Sequence, residues 1–426
     1  MRRAFLIVIA VALAAPARAS SVGATTQQVA SALGAVPNGA IVFAAPLESD
    51  VSPVAASGGG NRGDELALRV ASLVAGKIPG AHAAPRTASL DQARALASRS
   101  AELVYVTVQI VKSQMRVTVD AYPVVRNAWD RARLPPPPPR AHAYAAAPVD
   151  AEIRAFFPPI PLELTQLHKA THGEGEVIAA ACGDLDGDGG AEILLASRDR
   201  VSLGRVRAGK LDVERSVAFG ALAKRVAIPL REPLGGAEIE VGRALVGTSD
   251  RGAVSVDDAL GAPAAVAAGI PLGAGMCAST APARSAFEGP AIACDGAPSR
   301  APREWFDAAS AFDLVSQSGS ESIAIATREA GKLRLRVGTA ERASFDGAGA
   351  QVVVLDANLD GAPEIAFSSD SQDDAITIAT IEDQGPRMLA RFPAPAGVRA
   401  LAACPPQNGG GASVLAIVGN EVWIVR

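Results

Sequence analysis

The rhythm of apolar and polar positions changes once along this chain, near residue 160. Before that point the segments alternate in type. Ala40-Ile-Val-Phe-Ala44 is a short apolar run closed by Pro46, and Ser57-Gly-Gly-Gly60 reads as a flexible loop. Leu66, Val70, Leu73 and Val74 then recur at helical spacing behind an Asn or Asp cap, which predicts an amphipathic helix from Asn61 to Ala75. A second helix is expected over Ser89 to Ala101, with Ser89 as cap and Leu90, Ala93, Leu96 and Ala97 on one face. Two β-rich runs, Leu103 to Val111 and Met115 to Tyr122, face each other across Lys112-Ser113-Gln114 and predict a hairpin. This order of strand, helix, short strand, helix and hairpin predicts a small α/β domain over residues 25–125.

Five prolines follow Leu134, and the Ala/Pro-rich composition continues to Pro148. Consecutive prolines favour an extended, semi-rigid chain, so residues 126–160 read as a Pro-rich linker and a domain boundary. From 161 to 426 the pattern is one of short apolar runs separated by turns. Two of those turns carry chemistry. Asp184-Leu-Asp186-Gly-Asp188-Gly-Gly190-Ala-Glu192 and Asp356-Ala-Asn358-Leu-Asp360-Gly-Ala-Pro-Glu364 place side-chain oxygens at positions 1, 3, 5 and 9, with Gly189 and Gly361 at position 6. Ca²⁺ takes six to eight oxygen ligands, and a tight turn of alternating Asp or Asn points its oxygens at one centre. The expected ligands are Asp184, Asp186, Asp188 and Glu192 with the Gly190 carbonyl in loop one, and Asp356, Asn358, Asp360 and Glu364 in loop two. Neither loop is an EF-hand, because position 12 of the first is Leu195 and an apolar strand, not a helix, comes next. Loop two has three acids against four, so its site is expected to be the weaker.

The stretch from Gly183 to Ala196, and less completely Leu355 to Phe367, resembles the FG-GAP or VCBS repeat, the blade unit of integrin-type β-propellers and of many secreted bacterial propellers. The resemblance implies calcium that staples strands within a blade rather than performing chemistry. Degenerate copies are read at Gly235 to Ile239, Glu288 to Ile292, Gly319 to Ile323 and Gly410 to Val414. Spacings of 46, 42 and 49 residues (Glu192 to Glu238, Ser322 to Glu364, Glu364 to Ser413) match a blade, and the copy near Ala291 breaks the rhythm. A mainly β fold is therefore expected, a six- or seven-bladed β-propeller preceded by the small α/β domain. Ring closure is expected to join Glu421–Val425 to Leu162–Gln166, and Cys182 and Cys404 then lie at comparable points of the first and last blades, as disulfide partners or as buried free thiols. The N-terminal domain resembles, in pattern, the TolB- and FlgO-type α/β domains of bacterial envelope proteins, which implies a role in protein contact.

Composition narrows the functional classes. The chain has 426 residues, 41 Gly and 30 Pro, with 49% hydrophobic but only 4% aromatic residues, which suits many short strands joined by turns. Residues 1–19 combine Arg2-Arg3, an apolar run and Ala17-Arg18-Ala19, the layout of a secretory signal peptide, so a periplasmic or secreted protein with no membrane span after cleavage is expected. Without that segment the chain has 37 basic against 44 acidic side chains, a net charge of −7, which does not attract nucleic acid. Four cysteines in an oxidising compartment permit disulfides. His168 and His172, four apart, read as surface histidines in a loop rather than a zinc pair. No GxSxG, Walker or Cys–His signature is present. The expectation is a non-enzymatic binding or scaffolding protein whose propeller meets a protein partner. The alternative is an extracellular carbohydrate-binding or polysaccharide-active protein, for which three Tyr and three Trp offer few stacking platforms.

Overall fold

The structure is a computed structural model that describes residues 21–50, 62–127, 129, 133, 135–226, 232–281, 286–295, 305–382, 384–407 and 409–426. The expected signal segment and the Ser57–Gly60 loop lie outside the described residues.

The first part is a six-stranded sheet flanked by helices. Its elements are α1 (Ser21–Leu33), β1 (Ile41–Ala44), β2 (Glu48–Ser49), α2 (Arg62–Lys77), β3 (His82–Ala83), α3 (Leu90–Leu96), β4 (Glu102–Val111), β5 (Gln114–Pro123), β6 (Ala141–Pro148) and α4 (Ala151–Arg154). Helix α2 carries Asp64 and Glu65 in its first turn and Lys77 in its last, charges that suit the helix dipole, and it buries Leu66, Val70 and Val74. Helix α3 starts at a capping box: the Ser89 hydroxyl accepts from the Gln92 backbone while the Gln92 side chain accepts from the Ser89 N–H. The sheet runs β3-β1-β4-β5-β6, with β2 beside β4. At the β4–β5 turn Lys112 and Ser113 both have positive φ, 51° and 63°, the sense of turn that matches the strand twist.

Strand β6 changes the expected domain layout. It pairs antiparallel with β5 from Gln114↔Pro148 to Ala121↔Ala141. Residues 141–148, expected within the linker, are a sheet strand, and the proline run is a loop inside the first domain. The alternation of buried Ala143 and Ala145 with exposed His142 and Tyr144 is a strand pattern written mostly in alanine, which has little β preference.

The rest of the chain is a ring of four-stranded groups. The first comprises β8 (Val177–Gly183), β9 (Glu192–Ser197), β10 (Arg200–Arg207) and β11 (Lys210–Ala218), preceded by β7 (Leu167–Thr171). Further groups have innermost strands Gly235–Glu240, Ile270–Gly273, Ala308–Val315, Ala348–Leu355 and Val398–Cys404, each beside the next, and the last returns to β8. Among the described residues this makes six groups: the second half is a β-propeller. The innermost strands are rich in Gly and Ala because the ring is tight there; a Cβ on Gly236 would lie 2.0 Å from the Pro271 carbonyl oxygen.

The ends close the ring, one step later in sequence than expected. β7, not Leu162–Gln166, pairs antiparallel with Glu421–Val425 as the outer strand of the last blade. His168 is therefore exposed on a strand. His172 is buried instead of lying on the surface, with its Nε2 3.2 Å from the Gly419 carbonyl oxygen. Cys182 and Cys404 are bonded across the seam between first and last blades, and Cys277 and Cys294 are bonded within one blade.

The blade phase also differs from the sequence ruler. Glu192, Ser322, Glu364 and Ser413 lie at or near the start of second strands, but Glu238 sits in an innermost strand and Ala291 in a third strand. In those two blades the connection from first to second strand is only Val241-Gly242 or Ala274-Gly275, so neither has room for an acidic loop. Among the described residues no helix is long and apolar enough to cross a membrane.

Candidate metal loops and the capped channel

Both acidic loops join the first strand of a blade to the second, so they emerge on one face of the ring. They are built alike. In each, the position-1 carboxylate accepts from the position-6 glycine N–H at 2.9 Å: Gly189 to Asp184 and Gly361 to Asp356. The position-5 carboxylate accepts from the position-7 N–H, Gly190 to Asp188 at 2.6 Å and Ala362 to Asp360 at 2.7 Å. The position-9 carboxylate reaches back to the position-2 N–H at 2.7 Å, Leu185 to Glu192 and Ala357 to Glu364. Positions 4 and 6 both take positive φ: Gly187 (77°) and Gly189 (86°) in loop one, Leu359 (56°) and Gly361 (85°) in loop two. The acid at position 9 thus braces the turn itself.

The loops differ in what faces the acids. In loop one Arg205 of β10 reaches across the sheet. Its Nη2 donates to Asp186 Oδ2 and its Nη1 to Asp188 Oδ2, each at 3.0 Å. Nε donates to Glu192 Oε1 at 2.7 Å, and Nη2 reaches the same oxygen. Burial works against the Arg205 cation, but the Glu192 and Asp188 carboxylates outweigh it and hold the guanidinium more firmly protonated than usual. Desolvation raises Glu192, partly offset by the Leu185 N–H and Arg205, while the Gly190 N–H leads in lowering Asp188. Asp184 is raised by burial, and its Oδ1 is buried without a partner. Ligand-type oxygens of Asp184, Asp186 and Asp188 lie within 4.8 Å of one another.

In loop two the residue across the sheet from Glu364 is Thr380, whose hydroxyl donates to Glu364 Oε1 at 2.9 Å. Glu364 and Asp356 are buried, and no ion pair to either is seen among the described residues. Burial pushes Asp356 up to about 7 and Glu364 up to about 8. The Asn358 side chain donates to Asp360 at 2.9 Å, which leaves its Oδ1 buried and unpartnered. The buried Asp356 carboxylate, without a cationic partner among the described residues, and the orphaned Asn358 oxygen are donors that a hard cation would complete, while both Glu364 oxygens are taken by the Ala357 N–H and the Thr380 hydroxyl. The oxygens of loop two suit a hard cation in kind and meet no internal cation, but among the described residues three acidic ligand atoms lie within 4.8 Å of one another only in loop one. Loop one offers one orphaned oxygen, but three of its four acids are already paired.

The N-terminal domain sits on this face. Gln114, at the β4–β5 turn, donates to Asp184 Oδ2 at 3.2 Å, and the Ser113 hydroxyl accepts from the Gly409 N–H at 2.9 Å. Leu359 of loop two packs into the N-terminal core with Val149, Ile153 and Phe157. Glu152 of α4 lies so close to Gly319 that a Cβ there would meet its carboxylate at 2.7 Å. Behind this joint the innermost strands enclose a channel of about 1190 Å³, lined largely by Ala, Gly, Val and Leu and bounded at the capped end by Ser21, Gln114 and residues 146–151.

The spacing of Asp, Asn and Glu residues located both loops. It did not reveal Arg205, Thr380 or Gln114, whose roles depend on strand register or on packing between domains.

No family model matches the chain, and no curated protein does. Among solved structures the chain is similar to the β-propeller domain of Cps50 (Swd1) from Myceliophteria thermophila, at 10% identity and a TM-score of 0.33, covering 74% of this chain and 95% of that one. It is similar to U3-55K at 12% identity and a TM-score of 0.35, covering 74% and 91%. For AofleA from Arthrobotrys oligospora the values are 12% and 0.35, covering 62% and 87%. Likeness at these scores carries no argument; the propeller rests on the chain's own sheet order.

Proposed function

We propose that this is an exported, non-enzymatic scaffolding protein of the periplasm or extracellular space, akin to FG-GAP/VCBS propellers. In this reading a calcium-stapled propeller and its N-terminal cap together present a surface to a protein partner. The observation that carries the reading is the proline run. Because β6 returns to the sheet of β5, the run separates no domains, yet it is held in place. The Pro137 carbonyl accepts from Arg94 Nη2 at 3.3 Å, and Arg140 pairs with buried Glu102 at 2.8 and 2.9 Å. Pro135, Pro136, Pro138 and Pro139 are exposed. A pinned, solvent-facing run of prolines presents a pre-ordered apolar surface at low entropic cost, a form that proteins with aromatic grooves recognise.

Calcium belongs to this reading as a structural ion. Asp356, Asn358 and Asp360 would hold it in loop two, with Glu364 bracing the turn, and bound calcium supplies charge neutralisation where the N-terminal core meets the propeller. Export is supported by residues 1–19 and by four cysteines that are all disulfide-bonded, a state suited to an oxidising compartment.

The test is in-cell crosslinking of the exported protein against a Pro136→Ala/Pro138→Ala variant with an unchanged melting curve. A defined protein adduct that weakens at least several-fold in the variant supports the proposal. Adducts indifferent to the substitution, together with binding or turnover of a polysaccharide, would replace it with the carbohydrate reading.

A further inference from the structure

We infer that Arg205 is a built-in cation that takes the place of calcium in loop one, so that of the two loops only loop two binds the metal. The inference rests on the proposed calcium reading for loop two, but it stands on separate residues. Arg205 follows Gly204, which is paired with Ile193, and so lies across the sheet from Glu192; Thr380 holds the same register position opposite Glu364. One guanidinium engages the acids at positions 3, 5 and 9 of loop one, and it points inward over Gly190, where a Cβ would lie 3.5 Å from its Cζ. In loop two a neutral hydroxyl stands at that position.

The charge balance agrees. Four acids and Arg205 leave loop one with three net negative charges. Loop two holds three acids and Asn358, and among the described residues no cation pairs with its buried Asp356 or Glu364. A calcium ion entering loop one would have to expel the guanidinium from Asp186, Asp188 and Glu192, or share the acids with a like charge a few ångströms away. Expulsion costs the charge-assisted bonds to the buried Glu192 carboxylate, and sharing adds repulsion. Loop two asks for neither.

Equilibrium dialysis of the full-length protein against radioactive calcium at near-physiological salt tests this. The expected stoichiometry is one ion per chain, none for Asp356→Asn, and two for Arg205→Thr, which gives loop one the neutral partner of loop two. Melting curves taken in parallel show whether each variant is folded. Two ions in the unaltered protein, or one ion retained by a folded Asp356→Asn variant, would overturn the inference. If the unaltered protein binds none and Arg205→Thr binds one, Arg205 has been assigned correctly and the calcium of loop two falls instead. Should Arg205→Thr fail to fold, Thr380→Arg decides: loss of the single ion supports the inference, and its retention overturns it.

Discussion

Loop one and loop two share a backbone and a hydrogen-bond plan but solve the same electrostatic problem with different chemistry. Both fold three carboxylates back onto their own amides, and corresponding bonds agree to 0.1 Å. Where loop one pairs its acids with Arg205, loop two buries two carboxylates with no such partner. Their contacts with the N-terminal domain also differ: loop one is held by the Gln114 amide, loop two by Leu359 buried in a foreign core. The acid spacing therefore specifies a turn. On the inference drawn above, the residue opposite position 9 decides whether the turn takes a metal.

The largest expected effect lies at position 4. Leu359 takes the left-handed conformation that Gly187 takes in loop one, a backbone strain of roughly 1–2 kcal/mol for an L-residue. It is nevertheless buried, at 7% exposure, against the N-terminal core. Leu359→Ala keeps the strain and loses the packing, so a loss of about 3 kcal/mol is expected in denaturant unfolding. Proteolysis between residues 157 and 162 should become faster. Gly187→Ala, which introduces strain alone, should cost only about 1 kcal/mol. Equal losses in the two variants would show that loop two does not anchor the cap through its leucine.

Metal removal comes next and separates the loops by charge. At a free calcium concentration 100 times the dissociation constant, binding to the native state alone adds about 2.7 kcal/mol, so chelation should lower the melting temperature. An Asp186→Asn protein should respond as the unaltered one does, because that carboxylate is already committed to Arg205, whereas Asp356→Asn should abolish the response. A chelator effect removed by Asp186→Asn and kept by Asp356→Asn would reverse the comparison.

How much of this was legible follows from where each signal resides. Local order was open to reading: the Ser89 cap, the helix from Asn61 and the hairpin at Lys112–Gln114 are set by neighbours a few residues apart, and all stand within a residue or two of expectation. The loops were legible because one turn carries all their ligand types. Strand β6 was hidden by alanines, which pack on a sheet without favouring it. The blade phase was lost at Glu238 because a two-residue turn leaves no acidic signature. Arg205 lies 13 positions beyond Glu192, and only antiparallel register brings the two together. Seen as sequence, loop one with four acids is the stronger calcium site. On the inference drawn above, the residue across the sheet inverts that order.

The smallest expected effect concerns the polar grip on loop one. Asp184 Oδ2 accepts both from the Gly189 N–H at 2.9 Å and from the Gln114 side chain at 3.2 Å. Gln114→Ala removes only the second bond, and the loop keeps its shape because the backbone donor remains. The hairpin tip stays seated through the Ser113 bond to Gly409 and the Leu359 packing nearby. One hydrogen bond to a partly buried carboxylate is worth about 1 kcal/mol, so that loss is expected in unfolding, with no change in calcium stoichiometry. A double-mutant cycle with Asp184→Asn isolates the contact, and a coupling of about 0.5–1 kcal/mol is expected. Additivity within about 0.3 kcal/mol would mean that the hairpin does not hold loop one at all. A coupling as large as the Leu359→Ala loss would mean that both loops grip the cap with equal strength, and the division into a polar and an apolar anchor would have to be given up.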